Sequence, residues 1–401
     1  SGESNHVAIG YSALAAMDGA ADGNVAIGSS AGAAITTGAS NLAIGFNAML
    51  VHTTGGNNIA IGYGAMNDTD AGSTSLGSID NMFIGVDAGG GTWTDVASNY
   101  NVGIGNYSLS AALDGALYNV SVGYNTLGSL TVGDGNVAVG KGAADALTTG
   151  GANIAIGLDV LTLATTVSAN VAIGANVMGA VPAGQGITNV VAIGDYALYG
   201  SSGTTTAIEG SVAVGHDALR SLTIGSQNTA VGYDAGKSIT SGLYNTAVGY
   251  GAFDSATELD KNTAIGYNAL GAMSGSAGET LNTGVGYRAG SAVTTGTHNT
   301  IVGSQTGYTI NTGGYNTIMG AETAISLAGG SYNNIIGRRA GYSITSGTYN
   351  TALGSTALYS VQTGQGNIGI GQAAGYKMTA GGGVFIGYEA GYWLASGDTV
   401  M

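Results

Sequence analysis

The chain has no cysteine and a single proline in 401 residues. Without cysteine there is no disulfide stapling and no thiolate chemistry. Charge is also scarce: 8% of residues are charged, 8 of them basic and 23 acidic, for a net charge of −15. No basic patch can be assembled from so few cations. Nucleic acid and anionic membrane surfaces are therefore not expected partners. No run approaches the roughly 18 strongly apolar residues that read as a transmembrane helix, so no membrane insertion is expected of this segment. Glycine is abundant, at 75 residues, but follows no strict triplet, which excludes collagen. A hydrophobic fraction of 44% with so little charge is not the makeup of a disordered tail.

What is present is a repeat. The motif is N-x-A-I-G, as in Asn24–Gly28, Asn245–Gly249 and Asn262–Gly266. Counted by its last glycine it occurs 22 times, from Gly10 to Gly387, most often at a seventeen-residue spacing. Four residues before that glycine stands Asn in 18 repeats, and three after it stands Ala in 16. The residue just before it is always aliphatic or Met, as at Ile27, Val248 and Ile265, and this invariance reads as an interior position. A second apolar point follows seven residues after the glycine, at Ile35, Leu147, Ile239 and Ile344. A second glycine, usually behind Thr or Ser, closes the repeat, as at Gly38, Gly242 and Gly347.

A unit this short cannot hold a helical hairpin repeat, and recurrent glycine opposes one helix per repeat. The expected fold is all-β: a parallel β-roll or β-solenoid of about 22 coils, one continuous repeat domain over 1–401. Two short strand-like stretches per coil, T-A-I-G-Y and x-x-I-T-T, would each end in a glycine corner. Stacking would turn each constant position into a column, with Asn bonded coil to coil or to local backbone. One such coil encloses little core, so bundling of chains, as a homotrimer, is expected to reduce exposed apolar area. The repeats fill the chain, which is expected to be a processed chain or a piece of something longer.

Coils longer than this common period fall around 63–104, 175–214 and 267–285. Solenoids extrude such extra residues as loops, often on a binding side, although insertions are also tolerated at little entropic cost. The candidate binding-loop residues are Asp68, Asp70, Asp80, Trp93, Asp95, Pro182 and Glu279. Tyrosines recur just after the key glycine (Tyr233, Tyr250, Tyr267) and just before the Asn (Tyr315, Tyr332, Tyr349). They read either as an aromatic stack guarding a corner or as a stripe facing glycan or protein.

Signs of chemistry are sparse. His6, His52, His216 and His298 show no ligand spacing with an Asp or a second His. Gly364–Gly369 fits G-x-G-x-x-G only because it is the ordinary repeat, outside any βαβ context. No catalytic residue, cofactor site or structural metal site is expected, beyond occasional Ca²⁺ at an acidic loop such as Asp68 and Asp70.

The recurring N-x-A-I-G in a Gly/Ala-rich chain resembles the head repeats of YadA-like trimeric autotransporter adhesins, also found in tail-fibre proteins of bacterial viruses. The matching segments include Asn24–Gly28, Asn153–Gly157, Asn170–Gly174 and Asn262–Gly266. The resemblance implies a left-handed roll, three chains side by side, and a head that binds host or matrix surfaces. Here the repeat is longer than is usual in that family, with an added T-T-G corner. The resemblance thus points to an extracellular fibre or adhesin shaft on a virion or cell surface, with itself and a host protein or glycan as partners. Two alternatives remain: a receptor-free structural filament, and an ice-binding solenoid displaying the pairs Thr36-Thr37, Thr53-Thr54, Thr148-Thr149, Thr165-Thr166 and Thr294-Thr295.

Overall fold

The computed structural model describes residues 5–18, 21–69, 77–93, 96–200, 205–275, 277–379 and 381–394. The chain forms two compact units, Ser1–Glu209 and Gly210–Met401. Each is a parallel β-solenoid, with about 21 turns in all and no helix among the described residues. In the first unit every coil contributes one three-residue strand, from Val7–Ile9 to Val191–Ile193. In the second the series runs from Val212–Val214 to Val384–Ile386.

Neighbouring coils pair in register, residue on equivalent residue. Val25, Ala26 and Ile27 sit beside Leu42, Ala43 and Ile44, and Thr246, Ala247 and Val248 beside Thr263, Ala264 and Ile265. The strand is shorter than the expected T-A-I-G-Y. The x-x-I-T-T stretch is not a strand: it is a turn held coil to coil, as where Thr36 N–H donates to the Thr53 carbonyl at 2.9 Å.

The aliphatic residue before the glycine is not interior, and this corrects the expectation. Side chains alternate along a strand, and here the middle residue faces in. Ala26, Ala172 and Ala247 are buried, while Ile27, Val248 and Ile265 lie outward and remain half-exposed. Alanine fills that point in most coils, and the larger residues Phe83, Ile301, Ile318 and Ile335 are buried there too. Around Phe83 the neighbours are small: a Cβ on Gly103 would come 2.5 Å from the Phe83 ring, and one on Gly89 2.8 Å. The second apolar point, at Ile35, Leu147, Ile239 and Ile344, is buried as expected.

The key glycine makes the corner. Gly28 has φ +136°, and a Cβ there would lie 2.4 Å from the Gly45 carbonyl oxygen. Gly249, at φ +128°, meets Gly266 in the same way at 2.6 Å. Both the conformation and the closeness of the next coil exclude a side chain.

Candidate functional site

The Asn ladder is scaffold. Asn24 donates its amide to the Gly38 carbonyl at 2.8 Å, and its Oδ1 accepts the Asn41 backbone N–H at 2.9 Å. Asn245 does the same with Leu259 and Asn262, at 2.7 and 2.9 Å. Such amides close their own coil and clasp the next, and the Asn228 amide also reaches the nearby Ser226 carbonyl at 3.4 Å, so the coil-to-coil and local-backbone expectations both hold. The ladder Asn is replaced by Val190 in the last coil of the first unit and by Ser211 in the first coil of the second.

The candidate loop residues fall into different settings. Asp70 and Asp95 lie outside the described residues. Trp93 is no surface reader: it is fully buried and packs edge-on against Phe83 at 5.9 Å between ring centroids. The long coil folds it inward against Phe83, whose ring occupies the room left by the small residues Gly89 and Gly103. Asp68 accepts the Thr92 hydroxyl at 2.6 Å and fixes that same segment. Asp80 is exposed at an ordinary corner, with φ 58°, not in an extruded loop. Pro182 is half-buried.

Glu279 is exposed and borders a cleft of about 400 Å³. The coil between Gly266 and Gly286 is longer than the common repeat, and the excess opens the cleft. Gly278–Glu279 pairs in parallel with Leu259–Asp260, giving a second two-stranded ladder in this unit. The Asn245 amide reaches forward along its coil to the Leu259 carbonyl. That of Asn262 turns instead to the nearby Asp260 carbonyl at 2.9 Å. Leu259, Ser274, Thr295 and Thr297 line the cleft, and Lys261 pairs with Glu279.

One cluster escaped the sequence reading. Stacking brings His216, Asp217 and Asp234 together, with potential ligand atoms within 4.8 Å of one another. The signal was there: Asp217 and Asp234 stand one full coil apart in the sequence. The Lys237 ammonium lies 3.1 Å from Asp217 and 3.0 Å from Asp234, and Arg220 adds a contact to Asp217 at 3.3 Å. The Asp234 and Asp217 carboxylates hold the Lys237 ammonium above its usual range. Two acids already matched by two bases make this a charge-balanced clamp between coils.

An outward sheet face runs along each unit. In the first unit both outward strand positions are aliphatic or Met throughout, as at Val137 and Val139 or Ile154 and Ile156. In the second unit seven strands begin with Thr instead, among them Thr229, Thr246, Thr263 and Thr283. Tyrosines flank this face as stacked ladders. Tyr233, Tyr250, Tyr267 and Tyr287 stack with centroids 5.3, 5.3 and 5.4 Å apart. Tyr315, Tyr332 and Tyr349 stack at 5.0 and 5.1 Å.

The first threonine of the corner pairs is tied up in the scaffold, and the second stays exposed at Thr37, Thr149 and Thr295. Thr36, Thr148 and Thr294 each donate their hydroxyl to a carbonyl of the next coil, at 3.3, 3.0 and 3.1 Å. No protein-family model, curated protein or solved structure matches the chain.

Proposed function

We propose that the chain is a non-catalytic fibre segment, an adhesin head or shaft that self-associates and attaches to a host, glycan or matrix surface. The observation that carries this reading is the outward sheet face of the first unit. Its two aliphatic columns run coil after coil, with Ile104 and Ile154 each 37% exposed. Contiguous exposed apolar surface of this kind marks an interaction site. A second copy of the same column is its natural cover, since identical flat faces pack with identical spacing. The resemblance to trimeric adhesin and tail-fibre repeats sets the expected number at three and the place at a virion or cell surface.

The extra residues of the long coils support attachment. At 181–188 in the first unit and 274–280 in the second, they enter at one point of the repeat, just before the ladder position held by Val190 or Asn282. Such placement leaves strand and corner intact and concentrates variation on one side of the coil. The ice-binding alternative loses one hydroxyl of each pair at Thr36, Thr148 and Thr294, which a backbone carbonyl engages.

Light scattering coupled to size exclusion tests the reading, with small-angle scattering for shape. An elongated homotrimer is the expected result. Val137→Lys with Ile156→Lys, which puts charge on the aliphatic face without touching the interior, is expected to dissociate it. A monomeric wild-type chain at micromolar concentration overturns the reading.

A further inference from the structure

We propose that four consecutive coils of the second unit form a docking strip for an extended, neutral, β-1,4-linked polysaccharide, one sugar per coil. The proposal rests on the attachment reading above and names its ligand class. Each of these coils turns three side chains outward: a threonine at the start of the strand, an aliphatic residue at its end, and a tyrosine just past the corner glycine. Thr246, Val248 and Tyr250 are one such set, and the same trio recurs at the corners Gly232, Gly266 and Gly286. The four sets are in strict register, Thr on Thr and aliphatic on aliphatic.

The strip therefore has a cross-section and a period. In cross-section it is a hydroxyl column, an apolar column and a second hydroxyl column. No hydrogen bond to a described residue engages these threonine or tyrosine hydroxyls. The rings stack nearly parallel, within 5 to 19°, so each ring face is taken by its neighbour. His216 closes one end of the stack at 4.9 Å from Tyr233, and the Arg288 guanidinium covers the other over Tyr287 at 5.5 Å. What the tyrosines offer a ligand is their edges and hydroxyls, repeated every 5.3 to 5.4 Å.

A β-1,4-linked chain of pyranoses is a flat ribbon with the matching pattern. Its ring C–H groups are apolar, its equatorial hydroxyls project along both edges, and its advance per sugar is close to the rise of one coil. Laid along the strip, it sets C–H groups over the aliphatic column and hydroxyls against Thr and Tyr on either side. One coil offers only a weak contact. Four in register add up through effective concentration, provided the ligand keeps step with the coils. An α-1,4-linked chain curls and loses step after a sugar or two. None of the outward trio is charged, and the chain carries a net charge of −15, so a neutral glycan fits and an acidic one is repelled.

Isothermal titration calorimetry of the full chain with cellohexaose and chitohexaose tests the strip, with maltohexaose as the out-of-step control. Binding of at least one β-1,4 hexamer, and none of maltohexaose, is expected. Tyr250→Phe keeps the ring stack and deletes one hydroxyl; Thr246→Val is nearly isosteric and deletes another. Each is expected to weaken binding about 2- to 12-fold, the worth of one hydrogen bond, with unchanged circular dichroism and thermal unfolding. No heat with either β-1,4 hexamer, equal binding of maltohexaose, or wild-type affinity in both variants overturns the proposal. A chain that is trimeric yet fails these titrations loses the strip and keeps the fibre reading. A monomeric chain that binds the hexamers loses the self-association and keeps the strip.

Discussion

Replacing Asn245 by alanine isolates what the ladder contributes. Asn245 donates to Asn228 Oδ1 at 3.1 Å and to the Leu259 carbonyl at 2.7 Å. It accepts from the Asn262 backbone N–H at 2.9 Å and the Asn262 amide at 3.2 Å. Some partners have a second bond to fall back on. Asn228 Oδ1 keeps the Asn245 backbone N–H at 2.9 Å, and the Asn262 amide keeps the Asp260 carbonyl. The Leu259 carbonyl and the Asn262 N–H lose the partner that satisfied them. A buried group left unsatisfied costs about 1–3 kcal/mol, so two cost about 2–6 kcal/mol. In a solenoid this loss is local, because each coil is coupled mainly to its neighbours. Hydrogen exchange read by mass spectrometry is therefore the assay, since a single melting temperature would dilute the effect. Protection around Thr246 and Asn262 is expected to fall at least tenfold, and that of coils several turns away to be unchanged. Asn245→Asp adds a pH signature. It keeps an acceptor for Asn262 but sets oxygen against the Leu259 carbonyl and Asn228 Oδ1, so the folded chain favours the protonated acid. The folded pKa then lies above the unfolded value of about 3.9. Stability is held below that pH and lost as pH rises through the folded pKa. The Asp variant is expected to approach wild type in acid and to be worst at neutral pH, and the Ala variant to show no such trend. Wild-type protection at Asn262 in the Ala variant would refute the ladder as a source of stability.

Other sites give sharper contrasts. Gly249→Ala forces a side chain into φ +128° and against the Gly266 carbonyl; about 2–6 kcal/mol of destabilisation is expected, measured by denaturant unfolding. Trp93→Ala empties a fully buried site beside Phe83 and should cost about 3–5 kcal/mol. A Trp93 that read ligands from the surface would leave the unfolding curve where it was. Burial holds the Asp254 carboxyl above its usual value of 3.8, with the Asp234 charge adding to the shift. Stability is thus lost as pH rises through the folded pKa, and Asp254→Asn should raise neutral-pH stability and flatten that loss in pH-dependent melts.

The period, the Asn column and the glycine corners were legible because stacking subjects every coil to the same constraint. One constraint sampled in coil after coil leaves a clear statistical trace. Inside and outside were harder. An invariant apolar residue suggests burial, yet Ile27 and Ile265 face out, and the buried residue of the trio is the modest Ala26 or Ala264. Strand alternation held the answer: a small residue between two β-branched ones marks the crowded side. Trp93 misled because it lies in a long coil, where the repeat gives no inward or outward register; Gly103, where most coils carry Ala, signals only the large Phe83 ring beside it. The His216–Asp217–Asp234 cluster was hidden because its members are neighbours across coils, and a search at ligand spacing along the chain does not look a full coil away. The cleft at Glu279 follows from the length of its coil, but which residues line it depends on how the excess folds, and that leaves no periodic trace.

The first strand position shows how this fold separates stability from recognition. Val and Thr are both β-branched, nearly the same shape, and equally at home in a strand. Exchanging one for the other exchanges a methyl for a hydroxyl on the outward face and leaves the interior untouched. In the first unit that position is aliphatic or Met in every strand; in the second, Thr holds seven strands. An in-register solenoid multiplies such a choice by the number of coils, turning one atom into a column. The first unit thereby acquires a face that water disfavours, which the proposed self-association would cover. The second acquires a face that stays hydrated and can trade its water for the hydroxyls of a ligand with the same repeat. The two faces require no difference in corner or ladder, and the same glycine corners and Asn ladder recur in both units.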